Sequence, residues 1–187
     1  MDFTVNGIVS LLLLILPAYF ANAAPVYIRP TGNKAGKTKT NPIDGGKNFW
    51  DGHRILGEGK TWEGFIGGIA VGWLVGALLG WLGFVPLGLS FDTWFWVSLF
   101  LAIGALVGDL VGSFIKRRMN LKSGDRFPFF DQLGFVLFAL LFASIVAPQL
   151  GYLIGIDGFV FLIAVSYCAH VFFNWLAFKI GLKDVPW

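Results

Sequence analysis

Charge is what this chain has least of. Only 13% of its 187 residues are Asp, Glu, Lys or Arg, while 56% are apolar and the mean hydropathy is +0.72. A soluble domain carries about a quarter charged residues, so a water-solvated globule is excluded and lipid is the expected solvent. Cysteine is nearly absent too. The single Cys168 excludes an internal disulfide framework and a cysteine-built zinc cluster, and it reads as a small packing residue in an apolar run. No basic segment precedes the first apolar stretch. Ala21-Asn22-Ala23 imitates a signal-peptidase site, but Met1-Asp2-Phe3 lacks the required positive charge. The residues just beyond are the most basic of the chain, which opposes export. The first stretch is therefore expected to stay.

Long apolar runs are what the chain does have. A hydrocarbon core needs about 20 mostly apolar residues as a helix. Five segments qualify, at about 5–28, 65–84, 94–115, 129–150 and 159–180. Pro17 and Pro25 interrupt the first, which is tolerable where neighbours satisfy the freed backbone groups. The expectation is an all-α integral membrane protein, one domain over residues 1–187, built as a bundle of five transmembrane helices.

The sparse charge is also lopsided. Seven Lys/Arg lie in 29–63 (Arg29, Lys34, Lys37, Lys39, Lys47, Arg54, Lys60), five in 116–128 (Lys116, Arg117, Arg118, Lys122, Arg126) and two near the C-terminus (Lys179, Lys183). Those are all 14 in the chain. With five spans the three regions share one side, which the positive-inside rule makes cytoplasmic. The N-terminus is then outside and the C-terminus cytoplasmic, with two cytoplasmic loops, 29–63 and 116–128. An even number of spans would split the basic segments between sides.

Glycines recur every four residues in the second span (Gly68, Gly72, Gly76, Gly80) and the third (Gly104, Gly108, Gly112). Small residues at this spacing let helix backbones approach closely. The pattern serves packing within the bundle or a homodimer, and the spacing alone does not choose.

Ionisable residues at membrane depth are costly and mark function. Asp109 lies seven residues before Lys116, roughly 10 Å deeper along a helix. Asp109, Ser113 and Lys116 share a face, Arg117 flanks it, and Arg118 points away. Asp131 and Gln132 open the fourth span from the same side. Asn22 lies near the inner end of the first span, Glu63 starts the second, and His170 and Asn174 share a face in the inner half of the fifth. A polar cavity open to the cytoplasm is expected. Taken singly, Asn22, His170 and Asn174 also fit ordinary helix–helix hydrogen bonds.

The first inner loop, NPIDGGKNFWDGHRILGEGKTWEGF from Asn41 to Phe65, mixes glycine, bases, acids and aromatics. Gly59-Lys60-Thr61 imitates the end of a phosphate-binding P-loop. The required glycine five residues earlier is Arg54, and no strand precedes it, so a P-loop ATPase is excluded. Basic side chains and glycine amides can still bind phosphate, and a basic loop can also simply lie on anionic headgroups.

The second inner segment, GDLVGSFIKRRMNLKSGDRFPFFDQLGF from Gly108 to Phe135, resembles the signature of the CTP-dependent lipid cytidylyltransferases, the CDP-diacylglycerol synthase superfamily. The matching elements are Gly108-Asp109-Leu110, Ser113, Lys116-Arg117, Lys122 with Asp125, and Asp131. The chain departs from the bacterial and eukaryotic form at Phe127-Pro128-Phe129-Phe130-Asp131-Gln132, and has fewer spans. Together with PAYFANAAPV and GKTWEGF, this FPFFDQLGF segment is similar to the archaeal branch, the CDP-archaeol synthases.

That resemblance implies transfer of CMP from CTP to 2,3-bis-O-geranylgeranylglycerol 1-phosphate, with release of pyrophosphate. It implies a cell-membrane enzyme whose partners are CTP and an isoprenoid ether lipid phosphate from the bilayer, with no nucleic acid. The chemistry requires charge neutralisation rather than a strong base, because a phosphate nucleophile is already largely ionised near neutral pH. On this reading Asp109 and Asp131 hold Mg²⁺, with Asp125 as a third ligand. Lys116, Arg117 and Lys122 bind phosphates. Lys60, Arg54 and Glu63 close over the nucleotide, and Asn22 and Ser113 contact phosphate or support the site. Asp51 and Asp125 equally suit pairing with neighbouring bases. The competing class is a small transporter or channel with Asp109 on an ion path. A CDP-alcohol phosphotransferase is excluded by the missing Asp-Gly-x-x-Ala-Arg signature.

Overall fold

In a computed structural model, residues 5–28, 41–122, 125, 127 and 130–181 are described. The basic residues Arg29, Lys34, Lys37, Lys39, Arg126 and Lys183 lie outside that range, as do Pro128 and Phe129 of the second motif. The described residues form five α-helices: α1 (Val5–Ile28), α2 (Trp62–Trp81), α3 (Phe91–Arg118), α4 (Phe130–Val146) and α5 (Leu150–Lys179). A short 3-10 turn, Pro86–Gly88, lies between α2 and α3. No strand occurs among the described residues, and the first loop carries only the isolated bridges Pro42↔Thr61 and Asn48↔Arg54.

The boundaries differ from those expected of hydropathy, for local reasons. α2 starts at Trp62 rather than 65 because Thr61 caps it, accepting from the Gly64 amide at 3.2 Å. α3 starts at Phe91 rather than 94 because Ser90 accepts from the Thr93 amide at 3.2 Å. It also runs on to Arg118, so the second basic cluster is the last turn of a helix and not a loop. Cations there complement the helix dipole. α4 stops at Val146, just before Pro148, rather than at 150. α5 begins at Leu150 instead of 159 and is broken only at Gly155 (φ 66°, ψ 174°), a conformation that glycine tolerates. Among the described residues, four helices are long and apolar enough to cross a membrane. α4, at 17 residues, is shorter.

α1 is the central post. Its Leu11, Leu14, Ile15, Ala18 and Ala21 are buried with Trp94, Leu101 and Ala105 of α3 and with Val136 and Ala139 of α4. The glycine stripe of α2 packs inside the bundle. A Cβ at Gly68 would come within 2.8 Å of the Ala21 carbonyl, and one at Gly72 within 2.5 Å of the Pro17 carbonyl. Pro25 has no N–H to offer the Ala21 carbonyl four residues earlier, so the proline break and the glycine stripe meet at one place. Trp94, fully buried, fills the furrow left by Gly76 and Gly80 and donates from Nε1 to the Gly76 carbonyl at 2.8 Å. The third span's glycines do the same toward α4: a Cβ at Gly104 would meet the Phe138 carbonyl at 2.4 Å, and one at Gly108 the Gly134 carbonyl at 2.6 Å.

The C-terminal end of α1, the N-terminal end of α2, the C-terminal end of α3 and the N-terminal end of α4 converge at one end of the bundle. The contacts among Asn22, Lys60, Asp109 and Asp131 show this. α5 runs back against α4 to the same end, with the His170 ring 6.2 Å from that of Phe135 and Tyr19 donating to Ser166 at 2.7 Å.

Gly104→Ala is expected to lower stability in detergent by about 1–3 kcal/mol, the usual cost of overpacking. Gly151→Ala, where a Cβ meets nothing within 4 Å, should not. Equal thermal unfolding temperatures for the two variants would contradict this packing account.

Candidate active site

The close approach of α3 to α4 through Gly108 and Gly134 sets the geometry of the site. It brings the polar face of α3 against the first turn of α4. A small polar cavity opens there, lined by Asn22 of α1, Asp109 and Ser113 of α3 and Asp131 of α4, with Phe130 and Phe135 as apolar walls. Gly112 lines it too, and a Cβ there would meet nothing within 4 Å. Four candidates read from three separate stretches of sequence thus face one space.

Two ion pairs bound this cavity. Lys60 Nζ donates to Asp109 Oδ2 at 2.5 Å, bringing the first loop onto α3 across 49 residues of sequence. Lys116 Nζ lies 3.1 and 3.0 Å from the two oxygens of Asp131, joining α3 to α4. All four side chains are only partly shielded, with 13–35% of each side chain exposed, so they remain open to a solute. Asp131 also accepts from the Phe127 amide at 3.0 Å. Arg117 Nη1 lies beside Gly57 of the loop, 3.8 Å from where a Cβ would stand. Gly57 has φ +109°, a backbone conformation that favours glycine, while a Cβ there would make only ordinary contact with the guanidinium. The buried Arg117 Nε has no hydrogen-bond partner among the described residues.

Other candidates stand elsewhere. Arg54 is turned into the loop, with Nε 3.2 Å and Nη2 2.8 Å from the Asp44 carboxylate. It lines a separate open groove with Asn41, Glu58 and Trp62. Glu63 accepts from Asn41 Nδ2 at 2.5 Å. Neither Arg54 nor Glu63 lines the Asp109–Asp131 cavity. Lys122 is exposed, and Asp125 accepts from its backbone amide at 2.5 Å, closing a turn. No cluster of three or more His, Cys, Asp or Glu that could share a cation occurs among the described residues, so Asp125 is not gathered with Asp109 and Asp131. Asp51 pairs with a base, Arg118, at 3.0 Å.

Asp44 is the residue that reading the sequence missed. Its side chain is fully shielded and accepts from the amides of Gly46, Leu56 and Gly57 at 3.0, 3.1 and 2.9 Å as well as from Arg54. Burial is the largest single influence and would raise its pKa. The Arg54 guanidinium and the three amides together outweigh it and hold the carboxyl well below the usual carboxylate range. The same contact pushes Arg54 up. Asp44-Gly45-Gly46 was the available signal: an aspartate before two glycines favours a side-chain-to-backbone turn, and both glycines have positive φ, 56° and 79°.

The donors facing the cavity are all oxygens: two carboxylates, one amide and one hydroxyl. That set suits a hard divalent cation such as Mg²⁺, which keeps several waters and needs few protein ligands. It does not suit a soft metal.

The fold and the site together define a helical membrane protein with a polar cavity bounded by paired acids and bases at one end. Comparison with known proteins specifies it. Residues 4–187 match the family model described as CarS-like CDP-archaeol synthase. The chain is 47% identical over 173 residues to the CDP-archaeol synthase of Thermococcus gammatolerans, covering 92% of each. It is 41% identical over 186 residues to that of Methanococcus aeolicus, covering 96% and 97%. A solved structure described as an intramembrane enzyme for archaeal membrane lipids biosynthesis superposes with a TM-score of 0.71 at 35% identity, covering 87% of this chain and 91% of that one. The chain belongs to the CDP-archaeol synthase family.

Because the folded pKa of Asp44 is lowered, its contribution is fully present above the unfolded value of 3.8. It is lost only as pH falls through the folded one. Hydrogen exchange at Gly46, Leu56 and Gly57, corrected for intrinsic rates, should therefore be equally slow at pH 7 and pH 5. In Asp44→Asn it should speed up at least about tenfold, the equivalent of one charged hydrogen bond. Loss of protection between pH 7 and 5 would refute this account of the loop.

Proposed function

We propose that the protein transfers CMP from CTP to 2,3-bis-O-geranylgeranylglycerol 1-phosphate, yielding unsaturated CDP-archaeol and pyrophosphate. The observation that carries this reading is the pair of Lys–Asp contacts, Lys60–Asp109 and Lys116–Asp131, bounding one polar cavity at the end of a membrane bundle. In the reaction a lipid phosphate oxygen forms a bond to the α-phosphorus of CTP. The bond from that phosphorus to the bridging oxygen breaks, and pyrophosphate leaves with the electron pair. The nucleophile is largely ionised because its second pKa is about 6, so no proton needs to be removed. The protein's task is positioning and neutralisation.

An ammonium has three donors. Lys60 uses one on Asp109, which leaves others for phosphate oxygens, and Lys116 is similarly placed at Asp131. The Arg117 guanidinium, held in the last turn of α3, supplies a planar fork for the triphosphate. Asp109 and Asp131, with Asn22 and Ser113 nearby, would hold Mg²⁺, which when bound would screen charge on the phosphates. Lys122, exposed beyond the end of α3, is suited to receiving the leaving pyrophosphate. Phe130 and Phe135 give the cavity an apolar wall, consistent with a substrate whose chains stay in the bilayer.

All eight described Lys and Arg residues belong to the loop of 41–61, the last turn of α3 and the residues beyond it, or the end of α5. The acid Asp92 belongs instead to the first turn of α3, and Asp157 lies about two turns into α5, just past Gly155. This supports a five-span, positive-inside topology with the active site facing the cytoplasm. A transporter built on an intramembrane aspartate is not favoured, since the near-full-length relatives are synthases.

Purified protein given each of four nucleoside triphosphates, Mg²⁺ and the phosphorylated ether lipid should release pyrophosphate with CTP alone. Asp109→Asn should abolish CDP-lipid formation, a loss of several hundred-fold or more on the scale of catalytic electrostatic groups, while eluting as folded protein in detergent. Near-normal turnover by that variant would remove Asp109 from the site.

A further inference from the structure

Arg118 lies two residues beyond Lys116 and points away from the cavity, yet its side chain is more heavily engaged than that of any other base described. Its guanidinium carbon sits 4.7 Å from the ring centre of Phe49 and 4.9 Å from that of Phe114. The two rings meet each other edge-on at 5.3 Å. Nη1 donates to Asp51 Oδ1 at 3.0 Å, and Nη2 donates to the carbonyls of His53 at 3.3 Å and Arg54 at 2.6 Å. These partners occupy both terminal nitrogens, and the one donor without a partner among the described residues, Nε, is buried, so little is left for a phosphate. Except for Phe114 of α3, they all come from the small turn closed by the Asn48↔Arg54 bridge.

A continuous run of hydrogen bonds leads from that turn to Lys60. Arg54 joins Asp44, and Asp44 holds the amides of Leu56 and Gly57. The Lys60 amide then donates to the Gly57 carbonyl at 3.2 Å, and the Lys60 carbonyl accepts from Ile43 at 2.8 Å. We propose that Arg118 is a positioning residue that latches the first loop to the last turn of α3 and thereby sets Lys60 against Asp109. A guanidinium is suited to this where an ammonium is not, because only its plane stacks on two rings while its edge serves a carboxylate and two carbonyls. The proposal rests on the cytidylyltransferase reading only for the activity arm of its test.

The test is a double-mutant cycle with hydrogen exchange on the same proteins. Arg118→Ala should lower kcat/KM for CTP on the order of 10- to 100-fold, the cost of misplacing one group by about an ångström. In a Lys60→Ala background it should add less than about twofold, because a residue acting through Lys60 has nothing left to position. Exchange at the amides of Phe49, Gly52 and Lys60 should rise together, while the α2 amides stay protected. Arg118→Lys and Phe49→Leu, milder changes to the same contact, should show the same pattern in smaller measure. Losses that multiply fully in the double variant would overturn the latch, as would exchange at Lys60 that does not change in any of the three variants. If the wild-type protein releases no pyrophosphate from CTP, the cytidylyltransferase reading fails, and exchange at Lys60 alone decides on Arg118.

Discussion

The distance between α3 and α4 is the constraint on which the site depends. It is fixed where Gly104 and Gly108 press against the carbonyls of Phe138 and Gly134 with no room for a Cβ. In lipid no hydrophobic force pulls two apolar helices together, so close backbone contact and polar bonds between helices must do so. The same contact puts Lys116 within reach of Asp131 and turns Asp109, Ser113 and Gly112 toward a common space. Packing and chemistry therefore share one helix, with glycine on the inward face and the acid one residue further round.

The first loop is organised by different means. Its described residues, 41–61, form no helix and no sheet, and glycine supplies their sharp turns. A buried carboxylate, Asp44, takes the place of a small core: five donors converge on it. Arg118 clamps the outer half of the loop between two phenylalanines. The result is a hydrogen-bonded lobe at one end of the bundle that brings a single lysine, Lys60, against Asp109. Five donors on one carboxylate offset a desolvation cost that an unpaired buried charge could not bear.

Much of this was legible in the residues. Apolar length found every helix, and the four-residue glycine spacing marked the tight faces. Polar residues inside apolar runs picked out Asn22, Asp109, Ser113 and Asp131, all of which line the cavity. What hydropathy could not see were capping and breaking: Thr61 and Ser90 extend helices, and Gly155 bends α5 without ending it. It also could not see partner choice. Arg54 and Lys60 are both loop bases, yet one is captured by Asp44 and the other reaches Asp109. That difference lies in tertiary hydrogen bonding, which no spacing in the chain encodes. Arg118 was set aside because helical geometry turned it from the acid-bearing face. The geometry was right, but the face it does occupy has its own partners.

The two ion pairs of the site share a polarity along the chain. Lys60 precedes Asp109, and Lys116 precedes Asp131. A ribosome feeding this protein into a bilayer finishes each base before the acid it will meet. Placing a bare aspartate at the centre of a membrane helix costs about 2.5–3.5 kcal/mol on insertion scales. Here the neutralising cation has already been synthesised when each acid emerges. The order of residues thus places each counter-charge in the chain before the acid that it meets in the fold.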